Sequence, residues 1–456
     1  MNNVNIQKTY VAVIGAGVSG LTLGVALKQK GVDTLVLEST GRLGGSIESV
    51  KESGYLCEMG PNTLMLGSKV VSDFLERRGL LQSALTAGDS ARKRFIVHEG
   101  KLLALPGSPL EAVTSPFLSL KGKIKIFGDI FARPNIDPNE SVAGFFNRHF
   151  GDELTTELVG PFVSGVYAGD PHRLVMRHAF PSLWKIGRES GSIVRGIFQK
   201  KRIPKGERVQ RRLISWENGL AALIGSLSGE LAGSVLTGFG EITIQKDGAK
   251  GYLILSPQGS VSAEKIVFTT PVPTTQKILA PLLDSPAKNL SSIPYVPMVA
   301  VHLGFDREQI AHALDGFGVL IRRGLGIRIL GTLFSSSLFP GRAPEGKVLL
   351  TVFIGGRLDQ DIMDLSDDEI RKIVLKELSG LLQIKGSEEF VKIKRWAKAI
   401  PQYEDDYDRF LSSIEGLEKS YSGLHFSGNA VGGISVPNCI ENNLRLAEKL
   451  FLEGAV

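Results

Sequence analysis

Residues 11–21 read VAVIGAGVSGL, and this stretch decides the fold. Four apolar residues (Val11, Ala12, Val13, Ile14) run into Gly15, Ala16, Gly17, Val18, Ser19 and Gly20, and a helix-like stretch continues to Lys30. In a strand–turn–helix of this kind the first glycine permits the tight turn and the second lets backbone approach a pyrophosphate. The third lets helix and strand pack closely. Phosphates then sit at the helix N-terminus, where unpaired N–H groups point outward. A second apolar strand, Thr34-Leu35-Val36-Leu37, ends in Glu38, at the distance where a carboxylate accepts hydrogen bonds from a ribose. The N-terminus is therefore expected to hold a dinucleotide.

Composition narrows the rest. A chain of 456 residues suggests about two to three domains. With 43% apolar and 22% charged residues it reads as an ordinary globular protein. The net charge of +6 suits an acidic substrate, an anionic membrane surface, or no particular partner. No compact basic stripe with interleaved aromatics occurs, so no nucleic-acid partner is expected. Cys57 and Cys439 are far apart, form no metal or redox pair by spacing, and suit a reducing cytoplasm. No metal site is expected. The polar stretch before the first strand is too short for a signal or transit peptide, and no apolar run reaches the ~18–20 residues of a spanning helix. Any membrane contact would be peripheral.

The pattern changes along the chain. Residues 8–85 read as βαβ followed by short loops. From about 92 to 215 the text is mixed and mostly helical, broken by prolines from Pro106 to Pro204. Within it, 141–150 reads as a helix capped by Ser141 and closed before Gly151. Strand patterns follow at 234–245, 251–256, 265–270, 298–304, 326–334 and 347–354, then a helix-period segment at 367–382. The C-terminus holds a Gly-rich strand–turn, 425–436, and a helix from about Cys439 to Leu452. A nucleotide-binding domain split across the chain, with other domains inserted, accounts for this order.

Just after Glu38 comes Gly41-Arg42-Leu43-Gly44-Gly45-Ser46. A second glycine pair and an arginine here are unexpected in a plain NAD domain. They suit FAD, which needs backbone contact along an extended pyrophosphate and an arginine near its charge. Gly238-Phe239-Gly240 and Gly324-Leu325-Gly326 lack the third glycine of a second dinucleotide turn, which an NAD(P)H-drawing flavin reductase often carries. A disulfide reductase needs a reactive cysteine pair. What remains is a flavin reduced by an organic substrate and reoxidised by an acceptor, oxygen being the simplest.

Ten stretches, the first two already met, sharpen this reading: GAGVSG, LESTGRLGGS, EMGPNTL, RKRFIVHEGKLLALP, PFVSGVYAGDP, GFGVL, LGTLFSSSLFPGRAP, TVFIGG, AIPQY and GNAVGGISVPNCIE. By them the chain resembles the protoporphyrinogen oxidases, within the wider family of monoamine-oxidase-like flavoproteins, from residue 15 to residue 441. The first two stretches indicate only the wider family; GVYAGDP, GTLFSS with its FP and RAP, and GGISVPNCI are more specific. Trp216-Glu217-Asn218-Gly219 departs from the family, which more often shows a Gly-Gly pair there.

The resemblance implies an α/β plus α+β architecture in three parts. A discontinuous Rossmann-like FAD-binding domain (1–90, 215–272, 403–456) of the amine-oxidase-like flavoprotein fold is joined to a mixed-sheet substrate domain (91–116, 189–214, 273–402). A helical membrane-binding insert (117–188) completes the chain. It also implies non-covalent FAD, touched by Gly15, Ala16, Gly17, Val18, Ser19, Gly20, Glu38, Ser39, Arg42, Gly44, Gly45 and Ser46, then Glu58, Met59, Gly60 and Pro61. Ile242 would meet the adenine side through its backbone, and Asn429 with Ile434-Ser435-Val436 would lie along the isoalloxazine. On the substrate side Arg94 would pair with a propionate, Phe353 stack on one ring, and Leu320 and Leu333 clamp another. Gly165 and Gly169 would bring backbone close to the macrocycle, and Asn62 would lie near flavin and substrate.

The implied activity is oxidation of protoporphyrinogen IX to protoporphyrin IX by oxygen, six electrons in three FAD cycles with release of hydrogen peroxide, late in haem or chlorophyll biosynthesis. No catalytic base is assigned: the seven histidines are scattered, and the ring nitrogens can release protons by tautomerisation. Residues 117–133, FLSLKGKIKIFGDIFAR, place apolar residues beside Lys121, Lys123, Lys125 and Arg133. Such text lies in a headgroup layer or packs as an ordinary helix; the resemblance favours peripheral attachment at the inner face of a membrane, from the cytoplasm. A homodimer stays open. The run from Lys200 through Lys201, Arg202, Lys205, Arg208 and Arg211 to Arg212 reads as a solvated loop. Three other functions remain: coproporphyrinogen III oxidation, an FAD amine oxidase, and a flavin-binding partner without turnover.

Overall fold

The computed structural model describes residues 6–106, 118–134, 137–199, 209–248, 251–283 and 290–454. At its centre β1 (Ile6–Ile14), α1 (Val18–Gln29) and β2 (Thr34–Leu37) form the βαβ unit. β1 pairs in parallel with β2 on one side and with Gly259–Phe268 on the other. Such a strand is covered on both faces and so reads as an unbroken apolar run. Val235–Leu236 extends the sheet beyond β2, while Gly251–Ser256 and Thr243–Asp247 extend the far side. Leu424–Phe426 runs parallel beside Gly259–Phe268, and the C-terminal helix Val436–Gly454 packs on α1. One sheet thus draws strands from three distant parts of the chain.

A second seven-stranded sheet has the order Phe390–Pro401, Tyr295–Asp306, Lys347–Gly355, Ile329–Leu333, Gly318–Leu320, Phe95–His98, Lys101–Ala104. One face buries Val299, Val301, Val352 and Ile354 against the helix Asp367–Leu382. That helix starts on a capping box made by Ser366 and Glu369. The opposite face looks towards the nucleotide-binding part.

Between the sheets' segments lies a group of helices that includes Leu120–Gly128, Val142–Phe150, Gly160–Tyr167 and Pro181–Ser190. Ser141 caps the second, its hydroxyl accepting the Gly144 N–H at 3.0 Å, and Gly151 closes it with φ 84°. The buried Asp129 joins three elements: it binds His149, and accepts from Ser192 Oγ at 2.9 Å and the Val194 N–H at 2.8 Å. The outer side of the first helix and the turn after it leave Leu120, Ile124, Phe127 and Phe131 58–84% exposed. Among the described residues no helix is long and apolar enough to cross a membrane. Phe117 and the basic run from Lys200 to Arg208 lie outside the described residues.

Three expectations are corrected. The stretch from 92 begins as a hairpin, Phe95–His98 with Lys101–Ala104, because Glu99 (φ 47°) and Gly100 (φ 74°) form a two-residue turn of the left-handed kind that hairpins favour; among the described residues the next element is the helix Leu120–Gly128. The strand expected over 234–245 is two strands, parted where Gly238 and Gly240 (φ 65° and 82°) turn the chain under Thr40 and Ser39. The last helix starts at Val436, not near Cys439.

Candidate active site

The glycine turn behaves as its spacing demands. Gly15 takes φ 101°, and a Cβ on Gly20 would overlap the Gly15 carbonyl oxygen, so α1 reaches β1 only because residue 20 lacks a side chain. At Gly17 a Cβ would find its nearest neighbour, Gly45 Cα, at 3.9 Å, leaving that side open. Gly44 and Gly45 both have positive φ, and Gly17 bridges to Gly44, so two glycine loops lie back to back at the mouth of α1. Glu38 ends β2 with its carboxylate accepting the Ala16 N–H at 3.0 Å and the Thr40 N–H at 3.0 Å. The oxygen facing Thr40 also takes the Thr40 hydroxyl at 2.9 Å, while the one bound to Ala16 keeps a lone pair for a further donor.

A cleft of about 860 Å³ opens from these loops. Of the residues expected to touch a dinucleotide, Gly15, Gly17, Val18, Ser19, Glu38, Ser39, Gly44, Gly45, Ser46 and Pro61 line it, as do Ile242, Asn429, Ile434 and Val436. The rest stand behind the wall or beside it. Ala16 is buried, and Gly20 and Gly60 are spacers, the latter against the Ser46 carbonyl. Arg42 spends its guanidinium on the carbonyls of Leu43, Gly45 and Ile47. Met59 is buried and accepts the Trp396 indole N–H at 2.7 Å. Glu58 is also buried; it accepts Ser49 Oγ at 2.6 Å and the Leu220 N–H at 2.8 Å, with Arg342 3.6 Å away. Burial pushes its pKa up against those bonds and the Arg342 charge. Ser435 does not line the cleft; its hydroxyl accepts the Asn438 N–H at 3.3 Å.

Two residues were not anticipated, one lining the cleft and one behind it. Thr269 Oγ donates to the Ile14 and Gly15 carbonyls, both at 2.9 Å, and holds the turn from below. Tyr403, in the AIPQY stretch, donates to the Asn429 carbonyl at 2.7 Å and accepts the Gly433 N–H at 3.1 Å, shaping the 428–436 segment from behind. A glycine-rich cradle, a carboxylate at the end of β2 and a helix N-terminus at the far end fit a bound FAD.

The free face of the second sheet gathers the residues expected on the substrate side. Phe353 stands opposite Gly331, Gly331 opposite Leu320, and Leu320 beside Ile96. Leu333 and Arg94 lie two residues along from members of this row, so all four share one face. Gly165 meets it from the helical insert: a Cβ there would come within 2.5 Å of Leu320 Cδ2. Gly169 lies against Gln402, and Asn62 donates to the Gly60 carbonyl at 2.9 Å. Asn62 shares a small cavity with Thr351, the residue paired with Leu333.

Electrostatics separate Arg94 from its neighbours. Its guanidinium lies 5.1 Å from the Phe317 ring with no carboxylate partner among the described residues, and burial lowers its pKa. On the same face Lys394 is bound to Glu48 at 2.8 Å. Beneath, His302 is fully buried, bonded through Nδ1 to Thr351 Oγ at 3.0 Å, and burial pushes its pKa down to about 3.

Comparison with known proteins bears on the family and the fold. A family model described as flavin containing amine oxidoreductase matches residues 18–450. A mitochondrial protoporphyrinogen oxidase from Nicotiana tabacum is 32% identical over 96% of this chain and 94% of its own length. A coproporphyrinogen III oxidase from Bacillus subtilis (strain 168) is 27% identical over 95% of this chain and 96% of its own length. Among solved structures, a protein from Exiguobacterium sp. 255-15, provisionally named a protoporphyrinogen oxidase, superposes with a TM-score of 0.81 at 20% identity, covering 99% of this chain and 100% of that one. The chain belongs to the flavin containing amine oxidoreductases, in their protoporphyrinogen oxidase group, and its cofactor is FAD.

Proposed function

We propose that this chain oxidises protoporphyrinogen IX to protoporphyrin IX, with oxygen as the final acceptor and hydrogen peroxide as its product. One observation carries the reading: Arg94, Leu320, Leu333 and Phe353 share one sheet face beside the FAD cleft. A porphyrinogen is a large, mostly apolar macrocycle with carboxylate arms, and it asks for an apolar wall with few cations. FAD, when bound, supplies the acceptance of two electrons at a time, so three rounds remove the six that separate the two macrocycles.

The protein's own part is positioning. Leu320, Leu333 and Phe353 cover the macrocycle and exclude water. Arg94 offers to a propionate a half-buried guanidinium that has no carboxylate partner among the described residues. Gly165 lets the insert close on Leu320, and Asn62 fixes its amide at the junction of cleft and sheet face. Around the dinucleotide, the cleft-lining residues from Gly15 to Pro61 hold the adenosine and pyrophosphate, and Asn429 with 434–436 backs the ring. With Lys394 neutralised by Glu48, the face suits two carboxylate arms better than the four of coproporphyrinogen III. The exposed side of Leu120–Gly128, with its lysines, docks on an anionic membrane surface without crossing it.

The test is aerobic turnover of both porphyrinogens, followed by porphyrin fluorescence and peroxide. Protoporphyrin with about three peroxides each, and a slower reaction with coproporphyrinogen III, is expected. Preference for the four-propionate substrate, or no turnover of either, would overturn it.

A further inference from the structure

One residue lining the cleft comes from the second sheet and has no role so far. Lys398 borders the cleft together with Pro61, Asn429 and Ile434, yet it belongs to the strand Phe390–Pro401. The register shows how it gets there. Trp396 pairs with Met298 and Ile400 with Val296, so residues 397–399 stand against the single residue 297 of the neighbouring strand. A bulge of this kind breaks the alternation of the ladder and re-aims a side chain. The strand is pinned immediately before the bulge, where Trp396 donates its indole N–H to the Met59 carbonyl.

Charge pairing sets this lysine apart. Lys392 is bound to Glu52 and Lys394 to Glu48, so the two earlier lysines of the strand are compensated. Lys277, the other cation lining the cleft, is bound to Glu241. Lys398 is the one basic side chain lining the cleft that has no carboxylate partner among the described residues.

We propose that the Lys398 ammonium is the charge partner of the flavin ring, holding the negative charge the ring gains on reduction. A hydride brings two electrons and one proton, so the ring system ends with one net negative charge, and a pre-positioned cation stabilises it. The N-terminus of Val436–Gly454, whose Val436 lines the same cleft, acts in the same sense. This rests on FAD occupying the cleft and not on the identity of the substrate.

The experiment uses purified FAD-loaded protein without any porphyrinogen, comparing wild type, Lys398→Met and Lys398→Arg. Dye equilibration gives the two-electron midpoint potential, and titration of the apoprotein gives the FAD affinity of the oxidised form. Lys398→Met is expected to shift the equilibrium about tenfold towards the oxidised flavin, a fall of about 30 mV for a two-electron couple. Lys398→Arg should stay within about threefold of wild type, and both variants should bind oxidised FAD about as tightly as wild type. An unchanged potential in Lys398→Met would overturn the proposal. So would weaker FAD binding at unchanged potential, which would place the lysine on a phosphate instead.

Discussion

Arg94 carries the sharpest single-residue consequence, because a half-buried guanidinium with no acidic neighbour among the described residues is costly unless something else supplies the charge. Its contact with a carboxylate is worth about 1.5–3 kcal/mol. Arg94→Ala should therefore raise KM roughly tenfold to a hundredfold with a much smaller change in kcat, read from steady-state porphyrin fluorescence. Equal losses in both constants would place the residue in the chemical step instead. Gly20 gives a second case. A methyl group there collides with the Gly15 carbonyl, and overpacking of this kind costs about 1–3 kcal/mol. Gly20→Ala should weaken FAD retention by on the order of tenfold, measured by flavin absorbance against protein.

At the scale of elements, βαβ and cap signals were readable because they are local. The Ser141 cap, the glycine turn and the helix Asp367–Leu382 depend on neighbours a few residues away. The strand Phe390–Pro401 was not read, although Val391 and Ile393 alternate with Lys392 and Lys394. Its lysines look like a solvated face until Glu48 and Glu52, more than 300 residues earlier, arrive to neutralise them. The helix Leu120–Gly128 shows the opposite problem: its apolar and basic residues read equally as a packed helix or an interfacial one, and the exposure of Leu120, Ile124 and Phe127 is what supports the interfacial reading proposed above. Replacing these three and Phe131 by serine should abolish sedimentation with anionic vesicles while leaving turnover of detergent-dispersed substrate intact. Unchanged sedimentation would remove this helix from the membrane reading.

Across the whole molecule, the candidate site lies where two sheets meet, and neither is continuous in sequence. Sequence alone could name Arg94, Leu320, Leu333 and Phe353 only through resemblance, since an arginine in Arg92-Lys93-Arg94 and three apolar residues in strands carry no signal of their own. The register that aligns them is a property of the assembled sheet. The same assembly buries His302, whose pKa falls to about 3, and His425, whose pKa falls to about 4, both through burial. With folded values below the ordinary histidine value near 6.5, the unfolded chain takes up protons first as pH falls. Stability should thus decline from about pH 6.5 down to about pH 4 for His425 and about pH 3 for His302, by up to about 1.4 kcal/mol per pH unit for each histidine. In thermal melts His302→Gln should flatten that decline; a slope identical to wild type would show that His302 is not responsible.

The most direct measurement is anaerobic mixing of the FAD-loaded protein with protoporphyrinogen IX, watching flavin absorbance and porphyrin fluorescence together. Flavin bleaching in step with the appearance of oxidised tetrapyrrole, followed by recovery of the yellow form when oxygen is admitted, is expected. A flavin that keeps its colour throughout would contradict the assignment of this macrocycle as the electron donor.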